Sequence, residues 1–286
     1  MDALRQRFLD AAKASPECVA KHDKAGWLAL FAEGGVVEDP VGSAPNRKGR
    51  FRGRSRSGDD ELGRFYETFI APNEIRFEVL RDIVSETEVV RDVLIHTTLS
   101  TGLQVSVPAY LIYEMTEEDG EIRIARLAAH WELPRLSLQT LRGGLKGWTS
   151  MLRLSGKMLR IQGVAGMAGY SKGMLRGIFG RGRTVLSELC EAVARGDEAA
   201  IAGLFVDGAA GIELPAGQER SPHQLLEHLG PGARLTPSDP NAAGWTTAFR
   251  FELERSEGSE AGIGFLAFRP GTRKLVSARF YLGEAA

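Results

Sequence analysis

The chain has 286 residues, 43% of them hydrophobic and 26% charged, with a net charge of −1. That length accommodates two ordinary domains, and the composition is that of a soluble globular protein rather than a disordered, fibrous or membrane-spanning one. Near-neutral charge predicts no general attraction to nucleic acid, and the opening Met1-Asp2-Ala3-Leu4-Arg5 leads into no apolar run, so no secretory signal is expected.

In chain order, apolar spacing predicts helices over 2–14 and 16–32. Leu4, Phe8 and Ala11-Ala12 form one stripe, and Val19, Leu28 and Phe31 form another around Trp27. Pro16 suits the first turn of the second helix, and Gly34-Gly35 is read as ending the pair. Cys18, in this region, and the distant Cys190 fit neither a metal spacing nor a disulfide framework, in keeping with a reducing cytoplasm. A strand of two to four residues then carries Val36-Val37-Glu38-Asp39 to Pro40, where the backbone must turn. A carboxylate at a sheet rim between valines is a candidate general base, because apolar surroundings raise its pKa and strengthen it as a proton acceptor. Asp before Pro also serves simply to start a turn. Residues 47–56 then alternate Arg47, Lys48, Arg50, Arg52, Arg54 and Arg56 with small residues, as a polyanion-binding or merely solvated loop. Asp59-Asp60-Glu61 opens a short helix whose apolar side is Phe65, Tyr66 and Phe69.

Four strands are expected at 75–84, 88–99, 103–115 and 122–133, rich in Val, Ile, Leu, Thr and Tyr and separated by polar turns. The third alternates Val105, Val107, Ala109, Leu111 and Tyr113 against Gln104, Ser106 and Glu114. The last places Leu127, Ala129 and Trp131 on one face, with Arg126, Ala128 and His130 on the other. Helices followed by a run of antiparallel strands make an α+β domain with helices on one face of a curved sheet.

Val37-Glu38-Asp39-Pro40-Val41-Gly42-Ser43, Gly63-Arg64-Phe65-Tyr66 and Ala129-His130-Trp131-Glu132 fall in the order and spacing of a known family. Over residues 15–133 the chain resembles the ketosteroid isomerase-like, SnoaL-like branch of the nuclear transport factor 2-like superfamily. The resemblance implies a cone enclosing an apolar pocket for a small steroid- or lipid-like carbonyl compound, with no cofactor and no metal. It implies Asp39 as the base that moves a proton across an enolate, Tyr66 as a supporting hydroxyl and Trp131 as an aromatic wall. Phe31, Phe65, Val107, Ala109 and Leu127 are the further apolar residues expected to bind substrate. The family's principal oxyanion tyrosine would fall near Ser15 and its protonated aspartate near Ala109, so both donors are missing. Losing one such donor typically costs about 10²–10³ in rate.

After Pro134 the composition changes. Residues 135–183 hold ten Lys or Arg and no Asp or Glu, so with −1 for the whole chain the remainder carries about −11. Arg142, Lys146, Arg153, Lys157 and Arg160 share a sector of roughly 60° at helical spacing. Leu141, Leu145, Trp148, Met151, Leu152, Met158 and Leu159 take the opposite side. Gly163, Gly166 and Gly169 are expected to loosen this helix before a second short one carrying Lys172, Met174 and Arg176. A basic helix of this kind either lies in a membrane interface or packs as a connector. Under the first reading Arg142, Lys146, Trp148, Arg153, Lys157 and Arg160 are the membrane-binding residues, and the protein is cytoplasmic or peripheral to the inner membrane face.

From Thr184 the first pattern returns at an offset of about 175 residues, as expected of a duplicated domain. Helices are expected at 184–195, 197–206 and 222–229, and strands near 245–255, 261–269 and 274–282. In the second copy Leu214, beside Glu213, stands where the first has Asp39. The expected organisation is a cone at 1–133, a basic helical linker at 134–183 and a degenerate cone at 184–286. Three functions remain open: proton transfer on an apolar carbonyl compound, lipid binding at a membrane without turnover, and an assembly role with, for instance, a homodimer through a sheet face. No metal-ligand set, nucleotide loop or nucleophile triad is visible, and His22, His96, His130, His223 and His228 read as structural.

Overall fold

The computed structural model describes residues 3–51, 58–206, 211–256 and 258–283; the basic stretch Arg52, Arg54 and Arg56 and the side chains of Lys172 and Met174 lie outside the described set. The first helix, α1 (Ala3–Ala20), runs straight through Pro16. Proline there removes the N–H that would bond to the Ala12 carbonyl. Arg91 takes its place, with Nη1 donating to Ala12 O at 3.2 Å. The expected boundary at Pro16 is therefore absent, and the break falls later, at His22-Asp23. Asp23 caps the short α2 (Lys24–Ala29) by accepting from the Gly26 amide at 2.8 Å.

The stretch expected to close the second helix is instead a strand, β1 (Phe31–Glu38). Gly34, at φ +71°, breaks the strand's register between Phe31 and Val36, which is a bulge rather than a helix end. β1 pairs antiparallel with the short edge β2 (Asn46–Arg47), and parallel with β6 (Glu121–His130). Three further strands, β3 (Glu74–Ser85), β4 (Glu88–Thr98) and β5 (Gln104–Glu118), complete a sheet in the order β2-β1-β6-β5-β4-β3. Asp60 caps α3 (Glu61–Phe65), which passes into a π-helical turn at Tyr66–Ile70.

Three helices, α4 (Leu133–Arg142), α5 (Gly144–Ile161) and α6 (Gly163–Leu175), join the two sheets. The glycines of α6 do not unwind it. The second half begins with α7 (Gly180–Arg195), closed by left-handed Gly196, and with α8 (Glu198–Leu204), capped by Asp197. β7 (Ile212–Glu213), β8 (Glu219–Arg220) and α9 (Pro222–Leu229) follow, then β9 (Arg234–Ala243), β10 (Thr246–Arg255), β11 (Gly258–Phe268) and β12 (Leu275–Leu282). The second sheet has the order β8-β7-β12-β11-β10-β9, strand for strand the order of the first, and again the first strand pairs parallel with the last. The chain is α+β, two like-built cones in tandem. β9 was not expected, since Pro237 and Pro240 interrupt it; it is the edge strand, where a missing N–H costs no ladder bond.

Each sheet covers one face with its own helices. The other faces cover each other: Ile83, Val90, Tyr110 and Ile112 pack with Ala248, Ile263, Phe265 and Tyr281 in one apolar cluster. Polar groups at this seam are paired. Arg250 bonds bidentately to Asp92, Tyr281 donates to Glu88 at 2.6 Å, and Asn241 Nδ2 donates to Pro108 O at 2.7 Å. His130, against Phe265 with ring centroids 4.9 Å apart, is held neutral because burial lowers its pKa to about 3. The sheet face opposite each cone's own helices is thus covered within one chain. Phe265→Ala should cost about 3–5 kcal/mol, the range for truncating a buried aromatic. Denaturant unfolding should then resolve two transitions where the wild type gives one.

Candidate functional site

Asp39 stands at the end of β1, where Pro40 turns the chain through a cis peptide. The next residues are held from two sides. Val41 is buried in the seam between the sheets, and a Cβ placed on Gly244, in the β9–β10 turn, would come within 2.6 Å of Gly42 Cα. From the other side, the Ala44 amide donates to Gly169 O of α6 at 3.2 Å. A turn held this way keeps Asp39 at the cone's rim without letting it swing into water.

The carboxylate is half-buried, and Trp131 Nε1 donates to its Oδ1. Burial raises its pKa from 3.8 to about 6, and the Trp131 hydrogen bond opposes only part of that rise. Asp39 lines a cavity of about 380 Å³. One wall is the cone's rim, including Ala44, Pro45, Glu61, Arg64 and Phe69; the other is the joining helices, including Leu159, Ile161, Gln162, Val164 and Tyr170. Tyr170 stacks on Phe69 with centroids 5.3 Å apart and an interplanar angle of 25°. Burial and the neighbouring Asp39 charge both push its hydroxyl pKa up. Gln162 Nε2 is buried and has no hydrogen-bond partner among the described residues.

The expected site residues divide. Asp39 and Trp131 are in contact. Tyr66 does not line this cavity; its hydroxyl lies on the Cys18, Asp23 and Lys24 side of the cone, and its pKa is raised mainly by burial. Phe31, Phe65, Ala109 and Leu127 pack in the cone's core, and Val107 is buried; none lines the cavity. The cone's interior is filled instead. Trp27 lies against Phe31, Phe65 and Tyr66, and donates to Ser15 Oγ at 3.2 Å. Buried Tyr113 bonds to Ser15 and Arg91, and Arg91 pairs with Asp82 at 2.8 Å. The open volume lies between the cone and the joining helices. Sequence reasoning missed Tyr170 and Gln162; the one available signal was a lone Tyr within a Gly-rich helix.

The second copy differs at the matching position. Leu214 is buried among apolar side chains around a void of only about 20 Å³, while Glu213 pairs with Arg279 at 3.2 Å. Among the described residues no cluster of three or more His, Cys, Asp or Glu could hold a metal ion.

Residues 12–126 match the family model of the SnoaL-like domain. Similar solved structures include the delta 5-3-ketosteroid isomerase of a Mycobacterium species, 29% identical, covering 45% of this chain and 95% of its own, with TM-score 0.36. A Mycobacterium tuberculosis protein in complex with estradiol-17beta-hemisuccinate is 24% identical over 45% of this chain and 95% of its own, at TM-score 0.37. A putative polyketide cyclase from Xanthomonas campestris is 15% identical over 46% and 94%, also at TM-score 0.37. No curated protein matches the chain.

The raised pKa makes a stability prediction. The folded state holds the Asp39 proton more tightly than the unfolded one, so the stability it contributes is full below about pH 4. That contribution is lost as the pH rises through about 6. Asn imitates the protonated form, and Asp39→Asn should stabilise the fold above pH 6 by at most about 3 kcal/mol, with no gain below pH 4. Thermal melts of both proteins at pH 4 and pH 8 measure the difference.

Proposed function

We infer the function from one premise: the chain is a tandem of two ketosteroid isomerase-like domains of the nuclear transport factor 2-like superfamily, the first of them SnoaL-like over residues 12–126. On it we propose that residues 1–133, closed by a linker at 134–183, bind a small apolar steroid- or lipid-like carbonyl compound, and that residues 184–286 serve as a non-catalytic support. Asp39 takes the proton from the carbon beside the carbonyl and returns it at another carbon of the enolate. The observation that carries this reading is a carboxylate of pKa about 6 opening onto a cavity of about 380 Å³. A base poised near neutrality combines a populated ionised form with useful proton affinity. The enolate oxygen finds its donors in the same cavity, at Tyr170 and Gln162, so that the role expected of Tyr66 passes to the linker.

The base works ionised, so isomerisation of a β,γ-unsaturated ketosteroid should rise with pH through about 6 and then level. Asp39→Asn should abolish it, and Glu213→Gln should leave it unchanged. Trp131→Phe should move the rising limb upward, because the carboxylate loses a donor that favours its charged form. Equal loss in the Asp39 and Glu213 variants overturns the assignment.

A membrane-peripheral role is favoured by a separate observation on α5. The apolar side expected there divides in two. Met158 is buried and Met151 half-buried against the first cone, whereas Leu145, Trp148, Leu152 and Leu159 are 82%, 59%, 70% and 49% exposed. Arg142, Lys146, Arg153 and Arg160 are exposed beside them, and Lys157 is half-buried. No helix among the described residues is long and apolar enough to cross a membrane, which says nothing of a β-barrel. Each Lys or Arg near an anionic surface contributes about 1 kcal/mol. Wild type should therefore pellet with anionic vesicles at low salt and be released at high salt, and Trp148→Ser should pellet less. Failure of the wild type to pellet makes the segment a connector only.

A further inference from the structure

We propose that the Asp39 cavity is loaded directly from an anionic bilayer leaflet, through a mouth that α5 and the start of α6 hold against the membrane. The ligand is then a carbonyl lipid already dissolved in the bilayer, rather than a solute met in water. The inference rests on the reading of the cavity as a site for an apolar carbonyl compound, and extends it to where that compound comes from.

At about 100° per residue, Leu145, Trp148, Leu152 and Leu159 fall within an arc of roughly 60° on α5. The side facing away from that arc, with Gly147, Ser150 and Met158, is the buried one. Ser150 bonds to Thr101 and Arg153 Nη1 donates to Ser100 O at 3.4 Å, both to the β4–β5 turn, so the helix cannot roll its exposed stripe inward without losing these contacts. The stripe does not end at the helix terminus. Leu159 is both the last exposed residue of the stripe and part of the cavity wall, and Val164, 70% exposed at the start of α6, is likewise both. Arg160, between them, lines the same opening. A continuous apolar track therefore leads from the outermost side chains of α5 to the mouth, and Tyr170 and Asp39 lie inside it.

The charge pattern selects the occupant of this face. The segment 135–183 has no acidic residue, and among its basic ones Arg142, Lys146, Arg153 and Arg160 are exposed at the end of α4 and along α5, while Arg183 pairs with Glu132; this exposed charge complements an anionic lipid surface. A solvated surface normally mixes the two signs. Large side chains grouped beside that charge are the arrangement by which a helix lies in the headgroup region with its apolar side inserted. Seated so, the mouth faces the acyl chains. An apolar ligand then passes from bilayer to cavity without crossing water, where its concentration is lowest.

The test uses the full chain and prodan, a fluorescent naphthyl ketone, in two arms. In the first, prodan is titrated into protein in buffer. In the second, prodan is dissolved in vesicles carrying a non-exchanging quencher lipid, so emission rises only when the ketone leaves the bilayer for the protein. Transfer should be faster from vesicles of phosphatidylcholine with phosphatidylserine than from phosphatidylcholine alone, and should slow as salt is raised. Trp148→Ser with Leu152→Ser should slow transfer from anionic vesicles by about tenfold or more, since insertion is lost. The same variant should keep the wild-type affinity in buffer, because neither residue lines the cavity. Prodan bound in buffer, but taken from both vesicle types at one rate by wild type and variant alike, overturns the membrane route and leaves the site reading standing. No binding in either arm overturns both. A wild type that ignores vesicles and sediments as a dimer assigns the stripe to a second copy of the chain, and again overturns the proposal.

Discussion

The packing of one sheet on the other is the constraint from which the rest of the structure follows. A six-stranded sheet with helices on one face leaves the other to water, and here that face carries Val90, Tyr110 and Ile112. A fold with so much apolar surface needs a second layer. The duplicated half supplies it within the same chain. This explains a pattern that is odd for a single cone: charged Asp92 and Glu88 sit on nearly covered strands. They are tolerable because Arg250 and Arg279 reach them from the other half, and a buried charge without such a partner would be strongly destabilising.

The same contact sets the candidate base. Asp39 is three residues from Gly42, which touches the β9–β10 turn, and five from Ala44, which is bonded to α6. Its carboxylate is desolvated at a sheet rim because neighbouring elements close over the turn, and not because a deep pocket surrounds it. The cone's own interior is occupied by Trp27, Tyr113 and Arg91, so the cavity forms between the cone and the joining helices. Covering the rim this way brings Tyr170 and Gln162 into a cavity whose other wall includes Asp39, Arg64 and Phe69.

Much of the first cone was legible because its strands alternate and its turns are polar. The pattern around Asp39 placed an acid at the end of β1, and the second copy puts Leu214 at the matching end of β7. What failed to show was governed by contacts far along the chain. Pro16 reads as a helix start until Arg91, 75 positions later, is seen on the Ala12 carbonyl. Pro237 and Pro240 hide β9 because nothing local says that the strand is at an edge. Tyr66 lies in a matching motif, yet its hydroxyl is on the Cys18, Asp23 and Lys24 side of the cone, away from the cavity that Asp39 lines. Tyr170 sits outside any motif, and only the path of α6 brings it to Asp39.

The two halves share a strand order but differ where the candidate base stands, Asp39 in the first and Leu214 in the second. A desolvated carboxylate whose pKa is raised to about 6 weakens the fold once it ionises, and a filled apolar core strengthens one. Leu214 of the second cone borders a core void of about 20 Å³, whereas Asp39 borders a cavity of about 380 Å³ between the first cone and the joining helices. The second cone contributes packing area and partners for Asp92 and Glu88 without carrying any comparable liability. Active sites are commonly kept at some cost to stability. The joining helices lie between the halves: Leu159 and Ile161 at the end of α5 line the cavity, while Leu145, Trp148 and Leu152 face outward along the same helix. The candidate site belongs to no single cone, since its acid comes from the end of β1, its neighbouring hydroxyl from α6 and part of its wall from the end of α5.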